Sequence, residues 1–110
     1  MDDISYSGNE AWIGDTHIEF EYPISKTIQI ENRVLVLLDS TSGKSPGADN
    51  ILAFDLEGNE LWRIQKPDWN PQMFVSLSSS DSTVKARNHN SIVYEVDIGT
   101  GDIEPLHMVK

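Results

Sequence analysis

ILAFDLEGNELWRI, residues 51–64, reads in two ways, and the choice decides the fold. As a helix, Asp49 would cap it, and Ile51, Leu52, Asp55, Leu56 and Asn59 would wind around it. Gly58 in its middle would cost about 1 kcal/mol against alanine. Phe54, Trp62 and Ile64 favour a pleated, half-buried surface instead. As a hairpin, Ile51–Asp55 and Glu60–Ile64 are strands, and Gly58 supplies the positive φ that a tight turn between them needs. The hairpin reading wins, and it delivers Trp62 to the core.

The flanking sequence keeps the same period of two. HIEFEYP (17–23) sets Ile18, Phe20 and Tyr22 on one face and Glu19 and Glu21 on the other, the pattern of a half-buried strand. TIQI alternates Ile28 and Ile30 with Gln29, while RVLVLLD (33–39) is a continuous apolar run, as in a strand covered on both faces. A tight turn at Asn32-Arg33 would pair Lys26–Ile30 with Arg33–Leu38. DSTSGKSPGADN (39–50) is a loop by composition, and KPDWNPQ (66–72) carries two prolines that interrupt regular structure. MFVSLSSS, STVKARN and SIVYEVD supply further strands, with a turn at SSSDS. Pro105 confines the last strand, in DIEPLHMV, to a sheet edge. The expectation is all-β: one domain over residues 1–110, an antiparallel meander of about nine or ten short strands forming a small sandwich or strongly twisted sheet. Expected core residues are Trp12, Ile18, Phe20, Ile28, Ile30, Val34, Val36, Leu38, Leu52, Phe54, Leu61, Trp62, Phe74, Val93, Tyr94 and Val96.

Part of the opening stretch recurs. Gly58-Asn59-Glu60-Leu61-Trp62 is echoed by Gly8-Asn9-Glu10-Ala11-Trp12, and more loosely by Gly101-Asp102-Ile103, at spacings of 50 and 43 residues. Phe54, Asp55, Leu56, Gly58, Asn59, Leu61 and Trp62 resemble a blade fragment of the PQQ-type β-propeller repeat, as do Val96, Asp97, Ile98, Gly101, Asp102 and Ile103. The spacings suit such repeats, but 110 residues hold about two blades of the four or more that a propeller needs to close. The resemblance therefore implies blade-like hairpins, with no cofactor.

Charge and composition narrow the function. The net charge is −10, and residues 1–25 hold six acids and no Lys or Arg. Such a field repels nucleic acid and anionic membrane and attracts a basic protein. Without cysteine there are no disulfides, thiolate nucleophiles or Cys-based zinc sites. With no secretory signal and no apolar run near membrane-spanning length, a cytoplasmic location is expected.

No catalytic constellation stands out. Gly43-Lys44-Ser45 follows an apolar strand, but Leu38 stands where a phosphate loop needs its first glycine, and Pro46-Gly47 blocks the following helix. Residues 55–60 lack the alternating ligands and distal Glu of a calcium loop. His17, His89 and His107 have no partner at ligand spacing, so acid–base or metal chemistry on His17 or His89 is an outside reading. The serines at 76, 78, 79, 80 and 82 match no nucleophile motif.

Binding features are clearer. Glu19 and Glu21 share a strand face beside the base-free N-terminal segment, with Asp15 close in sequence. Trp69, between Pro67 and Pro71 and next to Asp68, has the stiff setting of an interface anchor. A small, acidic, cysteine-free domain of this kind resembles, in general character, the immunity proteins of bacterial toxin systems, including contact-dependent growth inhibition. That resemblance implies a non-enzymatic inhibitor of a basic, nuclease-type toxin domain, binding through Asp15, Glu19, Glu21, Asp68 and Trp69. The alternative is an accessory β-module acting as a homo-oligomer with its edges paired between chains.

Overall fold

Alternation carries through the whole chain. The computed structural model describes residues 4–41, 43, 46–66, 72–81, 83–89 and 91–106, and these contain eleven strands and no helix. Three consecutive antiparallel meanders result. The N-terminal sheet is β1 (Ile4–Ser7), β2 (Glu10–Ile13) and β3 (Thr16–Glu19). The central sheet is β4 (Ile24–Ile30), β5 (Arg33–Leu38), β6 (Ile51–Asp55) and β7 (Glu60–Arg63). The C-terminal sheet is β8 (Phe74–Ser80), β9 (Thr83–Asn88), β10 (Val93–Val96) and β11 (Ile103–Pro105). The expected all-β meander is correct. The strand count rises because residues 4–19 form a small sheet of their own, and the layers number three.

The central sheet is covered on both faces, as its continuous apolar run foretells. Leu35, Leu37, Ile51, Ala53 and Trp62 face the C-terminal sheet and meet Phe74, Leu77, Val84, Ala86 and Tyr94. Val34, Val36, Leu38, Leu52 and Phe54 face the N-terminal sheet and meet Ala11 and Ile13. The sheets are not evenly spaced. Strand β8 packs against β4 and β5, so the central and C-terminal sheets approach most closely along their first strands. At the far side of this wedge Trp62 fills the gap. Its indole N–H donates to the Ile98 carbonyl at 2.9 Å, and its ring lies against Gly101. Asn50 ties the same two sheets together: its amide donates to the carbonyls of Leu38 and Phe74 at 2.7 and 2.8 Å, and its Oδ1 accepts from the Phe74 N–H at 2.8 Å.

Three expected core residues lie outside the core: Val93 stands opposite Arg87, on the face of the C-terminal sheet turned away from the central one, and Trp12 and Leu61 are turned outward as well. Trp12 is 38% exposed and Leu61 43%. In β2, Ala11 and Ile13 take the covered face, which turns Trp12 to the opposite one. In β7 a bulge matches Phe54 to Glu60 and Ala53 to Trp62. Leu61 is the extra residue and is turned outward, while Trp62, 8% exposed, is turned in. The echo of the opening motif is also misplaced. Gly8 lies in the β1–β2 hairpin, whereas Gly14, Gly58 and Gly101, all with positive φ, each lie in the last hairpin of a sheet. Their spacings are 44 and 43 residues. The turn expected at Asn32-Arg33 is Glu31-Asn32, with Arg33 opening β5 opposite Ile30. Strand β11, with Pro105, is an edge strand as expected.

The opening hairpin is organised by Asp55. Its Oδ1 accepts from the backbone N–H groups of Glu57 and Asn59, each at 2.9 Å, and its Oδ2 from the Asn59 amide at 3.1 Å. These donors, the Asn59 backbone foremost, hold the carboxyl below its usual value of 3.8. A lowered folded-state pKa means that the carboxylate stabilises the fold above the unfolded value and that this contribution disappears as pH falls through the lowered one. Asp55→Ala should therefore unfold at lower urea than the parent at pH 7, with the difference narrowing below about pH 4. A difference unchanged from pH 7 to pH 3 would show that the turn does not depend on the charge.

Candidate functional site

Where β3 ends at Glu19, the chain is clamped rather than released. The Phe20 N–H donates to the Asn9 carbonyl at 2.8 Å, and the Asn9 side-chain amide donates to the Phe20 carbonyl at 2.7 Å. The Phe20 ring meets Phe54 edge-on, with centroids 5.8 Å apart, and so anchors the segment to the central sheet. Glu19 and Glu21, on either side of this fixed residue, are among the residues that line a cleft of about 390 Å³ between the two sheets.

The central sheet supplies the other wall. The cleft is also lined by Asp49, Glu60 and Arg63, with Phe20 and Tyr22 among its apolar surfaces. Pairing of β6 with β7 sets Glu60 opposite Phe54 and Arg63 opposite Leu52, which brings them to the place where Phe20 docks. Arg63 Nη1 and Asp49 Oδ2 are 3.9 Å apart and both partly exposed, a loose pairing that solvent screens. Four acidic residues and one arginine thus line the cleft, beside aromatic surface. Carboxylates accept charge-assisted hydrogen bonds from ammonium and guanidinium groups, and aromatic faces attract the same cations. The cleft therefore has the chemistry to hold a Lys or Arg side chain.

Of the residues singled out in the sequence, Glu19 and Glu21 are brought together. Asp15 lies in the β2–β3 turn, at the opposite end of β3 from Glu19, and does not reach the cleft. Asp68 and Trp69 lie outside the described residues. Arg63 carried no sequence signal, because a sheet register recruits it, and Asp49, in the loop before β6, was read only as the cap of the rejected helix. Glu60 was visible only as the first residue of a hairpin strand.

Trp12 was assigned to the core and instead offers an exposed aromatic surface. On the outer face of the N-terminal sheet it lies against His17, with ring centroids 5.1 Å apart, and His17 Nε2 is 2.8 Å from Glu10 Oε1. Glu10 in turn stands opposite Glu19, one of the residues that line the cleft.

A second hollow of about 390 Å³ on the C-terminal sheet is lined by Glu95, Asp97, Asp102 and Glu104. It has neither a cation nor an aromatic wall, and Asp97 already accepts from the Gly99 N–H at 2.8 Å. Among the described residues no group of three or more His, Asp or Glu could hold a metal ion, and no helix is long and apolar enough to cross a membrane.

In comparison with known proteins, residues 1–108 match the family model described as Domain of unknown function (DUF7957). No curated protein and no solved structure matches the chain.

Proposed function

We propose that this chain, which belongs to the DUF7957 family, is a non-catalytic inhibitor of a basic protein partner, of the kind found as immunity proteins beside bacterial toxins. The observation that carries this reading is the clamped Phe20, whose fixed backbone carries Glu19 and Glu21 on either side of it into the lining of a cleft shared with Asp49 and Glu60. A backbone held in this way need not be ordered on binding, so more of the interaction of its carboxylates with a cationic groove appears as affinity. They occupy the positions where the phosphates of a nucleic-acid substrate would bind, and a Lys or Arg of the partner enters the cleft. The net charge of −10 steers encounter with a basic domain and speeds association at low salt. The protein acts in the cytoplasm, where a nuclease-type toxin meets its substrate.

The test is titration calorimetry against a basic toxin domain encoded next to this gene, at two salt concentrations. Glu19→Lys with Glu21→Lys should weaken binding at least about tenfold and flatten its salt dependence. Affinity and salt dependence both equal to those of the parent would refute the reading.

A further inference from the structure

We infer that β1 is an open docking edge, to which an extended strand of a basic protein partner adds as a fourth strand of the N-terminal sheet. The added strand carries Lys or Arg at alternate positions, on the outer face of that sheet. The basic character of the partner rests on the function proposed above.

A strand is missing at this edge. Gly14, Gly58 and Gly101 each lie in the last hairpin of a sheet, which aligns β1–β2–β3 with β5–β6–β7 and with β9–β10–β11. The central and C-terminal sheets have one more strand ahead of these, β4 and β8, and the N-terminal sheet has none beside β1 among the described residues. The neighbouring sheet is bare on the side that faces it. Strand β4 turns Ile28 and Ile30 to the C-terminal sheet, while on its other side Gln29 is exposed and Thr27 half-buried. Tyr6 points the same way as Ala11, its partner on the covered face of β2, yet it is 43% exposed. A strand beside β1 would cover it.

The backbone of this edge is free to pair. The two-residue turn Gly8-Asn9 closes on the pair Ser7–Glu10, the hydrogen-bonded pair of such a hairpin. Bonded and non-bonded pairs alternate from there. Ser7 and Ser5 therefore bond to β2, and the N–H and C=O groups of Tyr6 and Ile4 point away from it. Proteins block open edges with charges, bulges or proline. The other outer strands carry these devices: β3 has His17 and Glu19, β4, β7 and β8 are bulged, and β11 holds Pro105. Strand β1, Ile-Ser-Tyr-Ser, has none of them.

Charge selects the occupant. On the outer face Ser7, Glu10 and Glu19 form one row across the sheet, and Ser5, Trp12 and His17 the next. Glu10 lies two strand spacings, roughly 10 Å, from the added strand, with only a serine between. A lysine or arginine opposite Ser7 can reach across it to the Glu10 carboxylate, which His17 holds at 2.8 Å. One opposite Ser5 can lie on the exposed Trp12 ring. These two positions are two residues apart, so both cations project from the same face of the added strand. A second copy does not suit the edge. Residues 1–25 hold six acids and no Lys or Arg, so pairing β1 with β1 sets like charge beside like.

Amide exchange of the full chain, with a capped peptide of alternating lysine and valine, tests this. Saturating peptide should slow exchange at Ile4 and Tyr6 at least about tenfold, and a peptide of alternating glutamate and valine should not. Tyr6→Pro removes an N–H that β2 does not use and closes the edge. Ser5→Lys with Ser7→Lys repels the lysine peptide and alters no buried residue. Each variant should keep its far-UV spectrum and weaken peptide binding at least about tenfold. No protection in the parent, equal protection by both peptides, or binding that survives Ser5→Lys with Ser7→Lys would each overturn the inference. So would a free parent that is already a dimer with Ile4 and Tyr6 protected. A basic toxin domain that binds through Glu19 and Glu21 without protecting Ile4 and Tyr6 would overturn this docking and leave the proposed function standing. Protection by the lysine peptide, with no affinity for that toxin domain, would overturn the proposed function alone.

Discussion

Gly101→Ala should lower the free energy of unfolding by about 3 kcal/mol, from two costs that act together. The backbone at Gly101 has φ +81°, and a Cβ there would lie 2.5 Å from Trp62 Cε3 and 2.8 Å from Cδ2. Holding alanine in the left-handed region costs about 1–2 kcal/mol. Displacing a packed ring costs roughly another 1–3 kcal/mol. Trp62 cannot move cheaply, because its indole N–H is bonded to Ile98 and its ring fills the wide side of the wedge between two sheets. Trp62→Ala alone should cost about 3–5 kcal/mol. Against a typical total of about 5–15 kcal/mol, either change removes a large share. The decisive measurement is the double variant in urea, followed by circular dichroism. With the ring gone, Gly101→Ala should cost only its backbone part, about 1–2 kcal/mol. Strict additivity would show that ring contact is not the source of the effect.

Asn50→Ala should be nearly as severe, at about 3 kcal/mol, because it strands buried backbone groups as well as deleting a side chain. Asn50 is 1% exposed. It gives both amide protons to carbonyls on different sheets and accepts the Phe74 N–H. Without it the Phe74 N–H loses its partner at the start of β8, where the C-terminal sheet meets the central one. Asn50→Leu should be no better, although leucine is more apolar, and that comparison separates lost hydrogen bonding from lost packing. Amide exchange at Phe74 should accelerate in both variants. A loss under about 0.5 kcal/mol would mean that water takes over the three bonds.

Glu19 and Glu21 were legible as a pair because alternation and a base-free segment are local signals. Their cleft was not legible. Glu60 and Arg63 reach it through the β6–β7 register, Asp49 from the loop before β6, and the N-terminal wall through the docking of Phe20 on Phe54, contacts that no short window of sequence contains. The two Gly-Asn-Glu-x-Trp segments make the same point about the fold. Trp62 enters the core because a bulge takes up Leu61, and Trp12 faces outward because Ala11 and Ile13 claim the covered side of β2. In a strand the side-chain period is two, so a shift of one residue exchanges core for solvent.

By itself, the sequence determined that this protein is all-β, where most hairpins turn, that β5 is covered on both faces, and that its surface is acidic. Those properties follow from residue type and a period of two, which act within a few positions along the chain. The tertiary structure decided that the strands divide into three stacked sheets, which tryptophan is buried, and which carboxylates share a cleft. Those outcomes depend on register and bulges, and these are set by side chains meeting across strands and sheets rather than along the chain.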